Sequence, residues 1–454
     1  MAANATIIWR VFSSGSDTLC GGGYDPSIGG GTDYSKQNSA QYNTSTATTS
    51  AASATIAWTS ASSDMVGNVI QITAGTNATA GFYTVISVSA GVSITVDRNC
   101  TTAAGSGITL YLGGALATIG KLNGVAVAGN RLGVKGSFSR GSNDTLTSSV
   151  GTATAPIVIE GYGTTLGDGY LGRTSNVKGL TTTNMPTITY SSTFSMNLGN
   201  FTVVKYLNVS GTFNGTLINN PIELSSCVVS NAGTTNARTT VPQGGGFVYD
   251  CDLTTTGTAS TVAALLLSNA NCSIVGCHIF ANGGSSYCIF GSVPSSSITR
   301  NLLVGGNIGV NIGGLKWSVD GNTVVGCTTG IFVNSANPQQ ITNNMLTDGT
   351  TGVDFNSLAA TAAMAGNYFR NNTTDIANAG SAYYQDGRNI HQSSGSAYVD
   401  YTSQSGGDYS LAATSQALNA IQPYATSPGC FQTKNSGGSA NITIVNGANY
   451  ILDC

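Results

Sequence analysis

Asp250, Asp252, His278 and Arg300 are the residues of this chain whose types and spacing come nearest to a reactive set. A carboxylate beside a histidine can take up and return a proton, and an arginine nearby can stabilise a developing negative charge. His278 and His391 are the 2 histidines among 454 residues, so a histidine-based acid/base centre has few places to form. For these four to act together, the chain must bring residues roughly two dozen positions apart onto one surface. A repeating architecture does this economically.

Such a repeat runs through the middle of the sequence. The segments Val204–Val209, Leu224–Val229, Val248–Leu253, Ile274–Ile279, Ile298–Leu303, Val319–Val324, Ile341–Leu346 and Met364–Phe369 align without gaps. Each begins and ends on an apolar residue and carries Leu207, Cys227, Cys251, Cys277, Asn301, Asn322, Asn344 or Asn367 at its fourth place. A near-constant period in the low to mid twenties is the mark of a solenoid. A second alternating element follows in Ile308–Ile312, Gly330–Val333 and Gly352–Phe355, with the two-residue period of a strand. Each repeat therefore holds short strands joined by turns, and successive coils stack at about 4.8 Å.

The fourth place reads as an inward bend between two strands. Stacked Asn301, Asn322, Asn344 and Asn367 can bond their amides to one another and to the bend backbone, which satisfies polar groups buried there. Leu207, Cys227, Cys251 and Cys277 make the same slot apolar towards the N-terminus. The slot after the ladder is expected to point outward and holds Val228, Asp252, His278, Leu302, Thr323, Met345 and Tyr368. The slot before it holds Ser226, Asp250, Gly276 and Arg300. This register puts Asp250, Asp252, His278 and Arg300 on one patch beside the same bend. The plainer reading of that patch is a surface ion pair of small stabilisation. Glu223, Asp320, Asp354 and Asp375 read as scattered, with no retaining or inverting carboxylate pair among them.

Composition agrees with an all-β chain. Sixty glycines and abundant Ser, Thr and Asn supply turns, while the chain is 41% hydrophobic and only 8% charged. A mainly helical protein would need far more Glu, Lys and Leu. Sixteen Lys+Arg against 19 Asp+Glu, without a basic cluster, speak against nucleic acid as a partner. No apolar run is long enough to suggest a membrane span. The 10 cysteines show no CxxC pair and no metal-ligand spacing with histidine, so no metal or cofactor is expected. The central cysteines read as small buried apolar residues. Pairing among Cys20, Cys100, Cys430 and Cys454 is left open.

The ends differ in texture. Residues 1–115 contain a Gly-rich loop from Cys20 to Lys36 and a Ser/Thr/Ala tract from Ser39 to Ser60. The segments Val69–Ile72, Phe82–Val88 and Val92–Val96 then read as an antiparallel meander, a small β module that caps the solenoid or anchors it to a partner. Residues 381–454 carry Tyr383, Tyr384, Tyr398, Tyr401 and Tyr409 and read as a C-terminal β cap, with a binding surface as the sharper alternative. Residues 116–380 form the solenoid between them. Met1–Arg10 lacks the basic and apolar regions of a secretory signal.

The repeats resemble those of right-handed parallel β-helix proteins, the architecture of pectate lyases, polygalacturonases and many phage tailspikes. Ala128–Phe138 and Ala155–Gly163 resemble their entry coil, and Asp408–Ala420 resembles a closing segment. The resemblance covers roughly residues 115–420 and implies an all-β, right-handed, single-stranded parallel β-helix. It implies no single function, because the fold carries lyases, hydrolases, adhesins and inert fibres. Polygalacturonase-type hydrolysis needs a Gly-His pair and an Arg-x-Lys, and both are absent. The low charge and sparse carboxylates favour a structural virion protein of a tailed phage: a fibre, spike or capsid-surface protein, with contact to host glycan as an added role. The alternatives are a polysaccharide lyase or glycoside hydrolase, and a bacterial surface adhesin or filament subunit. The expected partners are further copies of the chain, as a trimer by likeness to tailspikes, other virion proteins and cell-surface polysaccharide. The expected location is the virion or the extracellular space.

Overall fold

A computed structural model describes residues 8–13, 17, 42–61, 63–66, 69–112, 116–164, 167–169, 180–336, 339–356, 362–379, 384–385, 389–392, 401–403 and 408–411. Each coil has three sides. In one coil these are Glu223–Ser225, Val228–Asn231 and Arg238–Val241, after which the chain returns to the first side at Phe247–Tyr249. Among the described residues, repetition builds a first sheet of 12 strands, a second of 11 and a third of 10. Neighbouring strands within each of the three pair in parallel, so the chain is a parallel β-helix.

The pairing follows the register in which the repeats align. Val228 faces Asp252, Asp252 faces His278, His278 faces Leu302, and the row continues through Thr323 and Met345 to Tyr368. The inward row of the first sheet runs through Val204, Leu224, Val248, Ile274, Ile298, Val319, Ile341 and Met364, all fully buried. Burial of one such aliphatic side chain per coil is worth about 1.5–3 kcal/mol, so the core grows in proportion to the number of coils.

The bend between the first and second sheets has one geometry throughout. The residue before each ladder position is left-handed: Tyr206, Ser226, Asp250, Gly276, Arg300, Gly321, Asn343 and Gly366 have φ between +48° and +66°. Glycine and asparagine accept this conformation at little cost. The ladder residue then turns inward. Asn301 Nδ2 donates to Asn322 Oδ1, Asn322 to Asn344 and Asn344 to Asn367, each at 3.0 Å. Each of these acceptor oxygens also takes the backbone N–H of the preceding asparagine. The second amide proton of Asn301, Asn322, Asn344 and Asn367 goes to the carbonyls of Ile274, Ile298, Val319 and Ile341, at 2.8–3.0 Å.

The cysteines use the equivalent carbonyl. The Cys227, Cys251 and Cys277 thiols lie 3.8, 3.5 and 3.5 Å from the carbonyls of Val204, Leu224 and Val248. A thiol thus stands in for the amide as a weak donor at the same point of each coil. The ladder also reaches further than the aligned repeats. Asn367 Nδ2 donates to Asn389 Oδ1 at 2.9 Å, and Pro186 precedes Thr187, which pairs with Asn208.

In the third sheet, Gly309, Gly330 and Gly352 stack where the coil is thin. A Cβ on Gly330 would lie 2.7 Å from both the Gly352 carbonyl oxygen and Leu346 Cδ2, which leaves room for glycine alone.

Ile8–Phe12 is part of the helix. It pairs in parallel with Arg131–Lys135 and covers the edge of the entry coil, with Trp9 Nε1 bonded to Asn130 Oδ1 at 2.9 Å. The antiparallel module lies between Tyr42 and Leu112. It is a closed barrel of Tyr42–Thr49, Thr55–Ala57, Val69–Ala78, Gly81–Ser89, Ser93–Val96 and Thr101–Leu112. The Ser/Thr/Ala tract is therefore largely strand: Ala47, Thr49 and Ile56 point into the barrel, where a small side chain is enough. Cys100 is a free, buried barrel residue, and Cys20, Cys430 and Cys454 lie outside the described residues.

At the other end, the first and second sheets run on to Tyr384–Gln385 and Ile390–Gln392. Tyr401–Ser403 and Asp408–Leu411 form an antiparallel pair. Most of the C-terminal cap lies outside the described residues.

Candidate functional site

The helix places Asp252 and His278 as neighbours on adjacent strands of the second sheet. Asp252 Oδ1 lies 3.5 Å from His278 Nδ1. Both side chains face away from the central core, which takes Leu253 and Ile279, yet neither is on the surface: Asp252 is 7% exposed and His278 1%. The slot points away from the core as expected, but it is covered, which corrects the reading of the pair as a surface ion pair. Leu302, Thr323, Met345 and Tyr368 in the same row are also buried. Over Asp252 the covering chain is the segment at Leu180, whose backbone N–H donates to Asp252 Oδ2 at 2.6 Å. Phe280 meets the His278 ring edge-on, with centroids 6.5 Å apart.

Asp250 and Arg300 lie on the other side of the bend. Asp250 is half-buried and its Oδ2 accepts from Ser226 Oγ at 3.0 Å. Arg300 is exposed two coils away, roughly 10 Å along the stack. The four residues thus divide into a covered pair, Asp252 and His278, and two bend residues separated by the ladder. A pair sealed by a backbone amide can fix a loop to the sheet, whereas proton transfer to a substrate requires access.

Further polar clusters lie along the solenoid, with Asp320 accepting from Thr342 Oγ1 and Asn343 Nδ2 in its middle and others towards its ends. Asp144, 1% exposed, accepts from Arg140 Nε and Nη2 at 3.0 Å, from Tyr190 Oη at 2.8 Å and from the Gly120 N–H at 3.1 Å. It ties the entry coil to its neighbour. His391 stacks on Phe369 at 5.0 Å and lies 2.9 Å from Asp375 Oδ2. Asp168 accepts from the N–H groups of Gly163 and Thr164 within its own loop.

A second assembly was not legible as one in the sequence. The outer face of the first sheet brings Glu160, Lys205, Glu223, Phe247 and Tyr249 onto four successive strands. Glu160 and Glu223 are the two glutamates of the whole chain. Glu160 is buried and paired with Arg131. Glu223 Oε1 accepts from Ser225 Oγ and from Tyr249 Oη, each at 3.0 Å. Tyr206 at the adjoining bend has its hydroxyl pKa pushed up, by burial first and then by the charges of Glu160, Glu223 and Asp250. Lys205 Nζ sits 5.5 Å from the Tyr206 ring centroid. Phe247 and Tyr249 are 52% and 42% exposed. The signal for Glu223 was its place one residue before an inward apolar position. Glu160 gave none, because the long excursion between Gly161 and Thr187 interrupts the period.

The family described as periplasmic copper-binding protein (NosD) matches residues 190–407. No curated protein sequence matches. Among solved structures, pectate lyase Pel9A is 13% identical, with a TM-score of 0.43 over 68% of this chain and 89% of that one. An alginate lyase from Paenibacillus sp. str. FPU-7 is 15% identical, with a TM-score of 0.33 over 59% and 92%. The tailspike protein gp49 from Pseudomonas phage LKA1 is 12% identical, with a TM-score of 0.26 over 77% and 60%. The class of the protein rests on its own strand pairings: it is a parallel β-helix protein with a small antiparallel β module near its N-terminus.

Proposed function

We propose that the chain is a structural rod of a tailed-phage virion, a fibre, spike or capsid-surface protein that assembles as a trimer and meets glycan on the host surface. The observation that carries this reading is the sealing of Asp252. The acid/base pair best placed for catalysis is committed to holding the Leu180 segment on the second sheet. The continuous amide ladder adds stiffness, the property a rod requires.

The copper named in the family description does not fit the described residues. The described thiols are the ladder cysteines Cys227, Cys251 and Cys277 together with Cys100, Cys272, Cys288 and Cys327, all buried, and burial pushes the Cys100, Cys251 and Cys272 thiols up, which disfavours the thiolate a metal needs. Among the described residues no group of three or more His, Cys, Asp or Glu side chains is placed to hold a metal.

The test has two arms. Polysaccharides are incubated with the protein and with Asp252→Asn, and new reducing ends and unsaturated products are measured. No cleavage is expected. Cleavage lost in Asp252→Asn would establish the depolymerase in place of the rod. Sedimentation equilibrium at micromolar concentration should give a trimer, and a strict monomer would remove the assembly.

A further inference from the structure

The outer face of the first sheet changes character along the rod. Over the three coils from Ser273 to Asp320 its two rows carry Ser273, Ser297 and Ser318 beside Val275, Thr299 and Asp320, mostly small side chains, and Gln340, Ala363 and Tyr384 continue the first row beyond. Over the coils before Ser273 the same rows carry Glu160, Lys205, Glu223, Phe247 and Tyr249. Nothing in coil stacking requires this. The bend position is filled by Tyr206, Ser226 and Asp250 here, with Tyr206 at φ +60°, and by Gly276, Arg300, Gly321, Asn343 and Gly366 farther along. A tyrosine is uncommon in that conformation.

We propose that Phe247, Tyr249, Glu223 and Tyr206 form a binding site for a neutral oligosaccharide, a deepening of the glycan contact proposed above. The two exposed rings lie on one short strand and offer apolar surface to the C–H face of a pyranose. Glu223 supplies acceptors for sugar hydroxyls, and its Oε1 is already held in place by Ser225 and Tyr249. A rigid aromatic platform with a few preorganised polar groups is the usual form of such a site. Charge selects the class of sugar. Arg131 is taken up by Glu160, which leaves Lys205 against Glu223 and Asp250. The local field is therefore negative and disfavours uronate chains.

The test uses the full chain and two probes, cellohexaose and hexagalacturonate, at millimolar concentration, with binding read by ligand-detected NMR. Cellohexaose should bind at least tenfold more tightly than hexagalacturonate. Phe247→Ala and Tyr249→Ala, both changes of exposed side chains, should each weaken cellohexaose binding about tenfold or more, as loss of a contact anchor does. Glu223→Gln should weaken it less, because one acceptor oxygen remains. Absence of cellohexaose binding, or preference for hexagalacturonate, would overturn the proposal. So would dissociation of an oligomer on Phe247→Ala, which would assign the patch to contact between copies. Cleavage of bound cellohexaose would remove the non-enzymatic rod and leave the binding site standing.

Discussion

Replacement of Asn344 by leucine isolates what the ladder contributes. Asn344 Nδ2 donates to the Val319 carbonyl at 2.8 Å and to Asn367 Oδ1 at 3.0 Å. Its Oδ1 accepts from the backbone N–H and from Nδ2 of Asn322, both at 3.0 Å. Leucine fits the slot sterically, since Leu207 fills it fully buried in an earlier coil. Asn322 Nδ2 keeps the carbonyls of Ile298 and Asp320, so the group that loses its acceptor is the Asn322 backbone N–H. A buried donor left unpaired costs about 1–3 kcal/mol, and the other lost bonds add about 1 kcal/mol. The expected loss is about 2–4 kcal/mol. A solenoid of this length need not unfold in one step, so a local assay is needed. Hydrogen exchange at the Asn322 amide should quicken roughly 30- to 700-fold, by the relation of about 1.4 kcal/mol per tenfold. Exchange at Leu132 in the entry coil should not change. A folded variant with unaltered exchange at Asn322 would refute the account of the ladder.

Two further outcomes follow from the ends and the third sheet. Burial, reinforced by the charge of Asp144, holds the Tyr190 hydroxyl pKa well above its ordinary value, so the folded state keeps a proton that the unfolded chain loses. Stability from this group is complete below about pH 10 and falls as pH rises beyond it; Tyr190→Phe should cost about 1 kcal/mol at neutral pH and show a smaller alkaline loss than the native chain, measured by melting from pH 8 to 11. Gly330→Ala should destabilise by about 1–3 kcal/mol through the contacts of its new Cβ with Gly352 and Leu346, and an unchanged melting temperature would contradict the thin-coil geometry.

The fold was legible because a solenoid writes its period into the chain. Each coil must place an apolar residue inward and a special residue at the bend, so Val204 to Met364 and Leu207 to Asn367 recur at nearly fixed steps and give the register directly. The left-handed bend was half visible, as glycine or asparagine at Gly276, Gly321, Asn343 and Gly366. Where an excursion lengthens the coil the signal fails, and Pro186 and Glu160 went unread for that reason. Ile8–Phe12 pairs with Arg131–Lys135 across the whole barrel, a contact no local pattern encodes.

The candidate site divides in the same way. Sequence alone set the adjacency of Asp252 and His278, because strand pairing follows from the period. The covering of Asp252 was decided by tertiary structure, since Leu180, whose N–H bonds it, belongs to a distant loop with no repeat of its own. The gathering of Glu223, Phe247 and Tyr249 beside Tyr206 was likewise decided in three dimensions. Alternation assigns a side chain to the outer face of a strand, but whether that face is covered or open depends on which other parts of the chain pack over it.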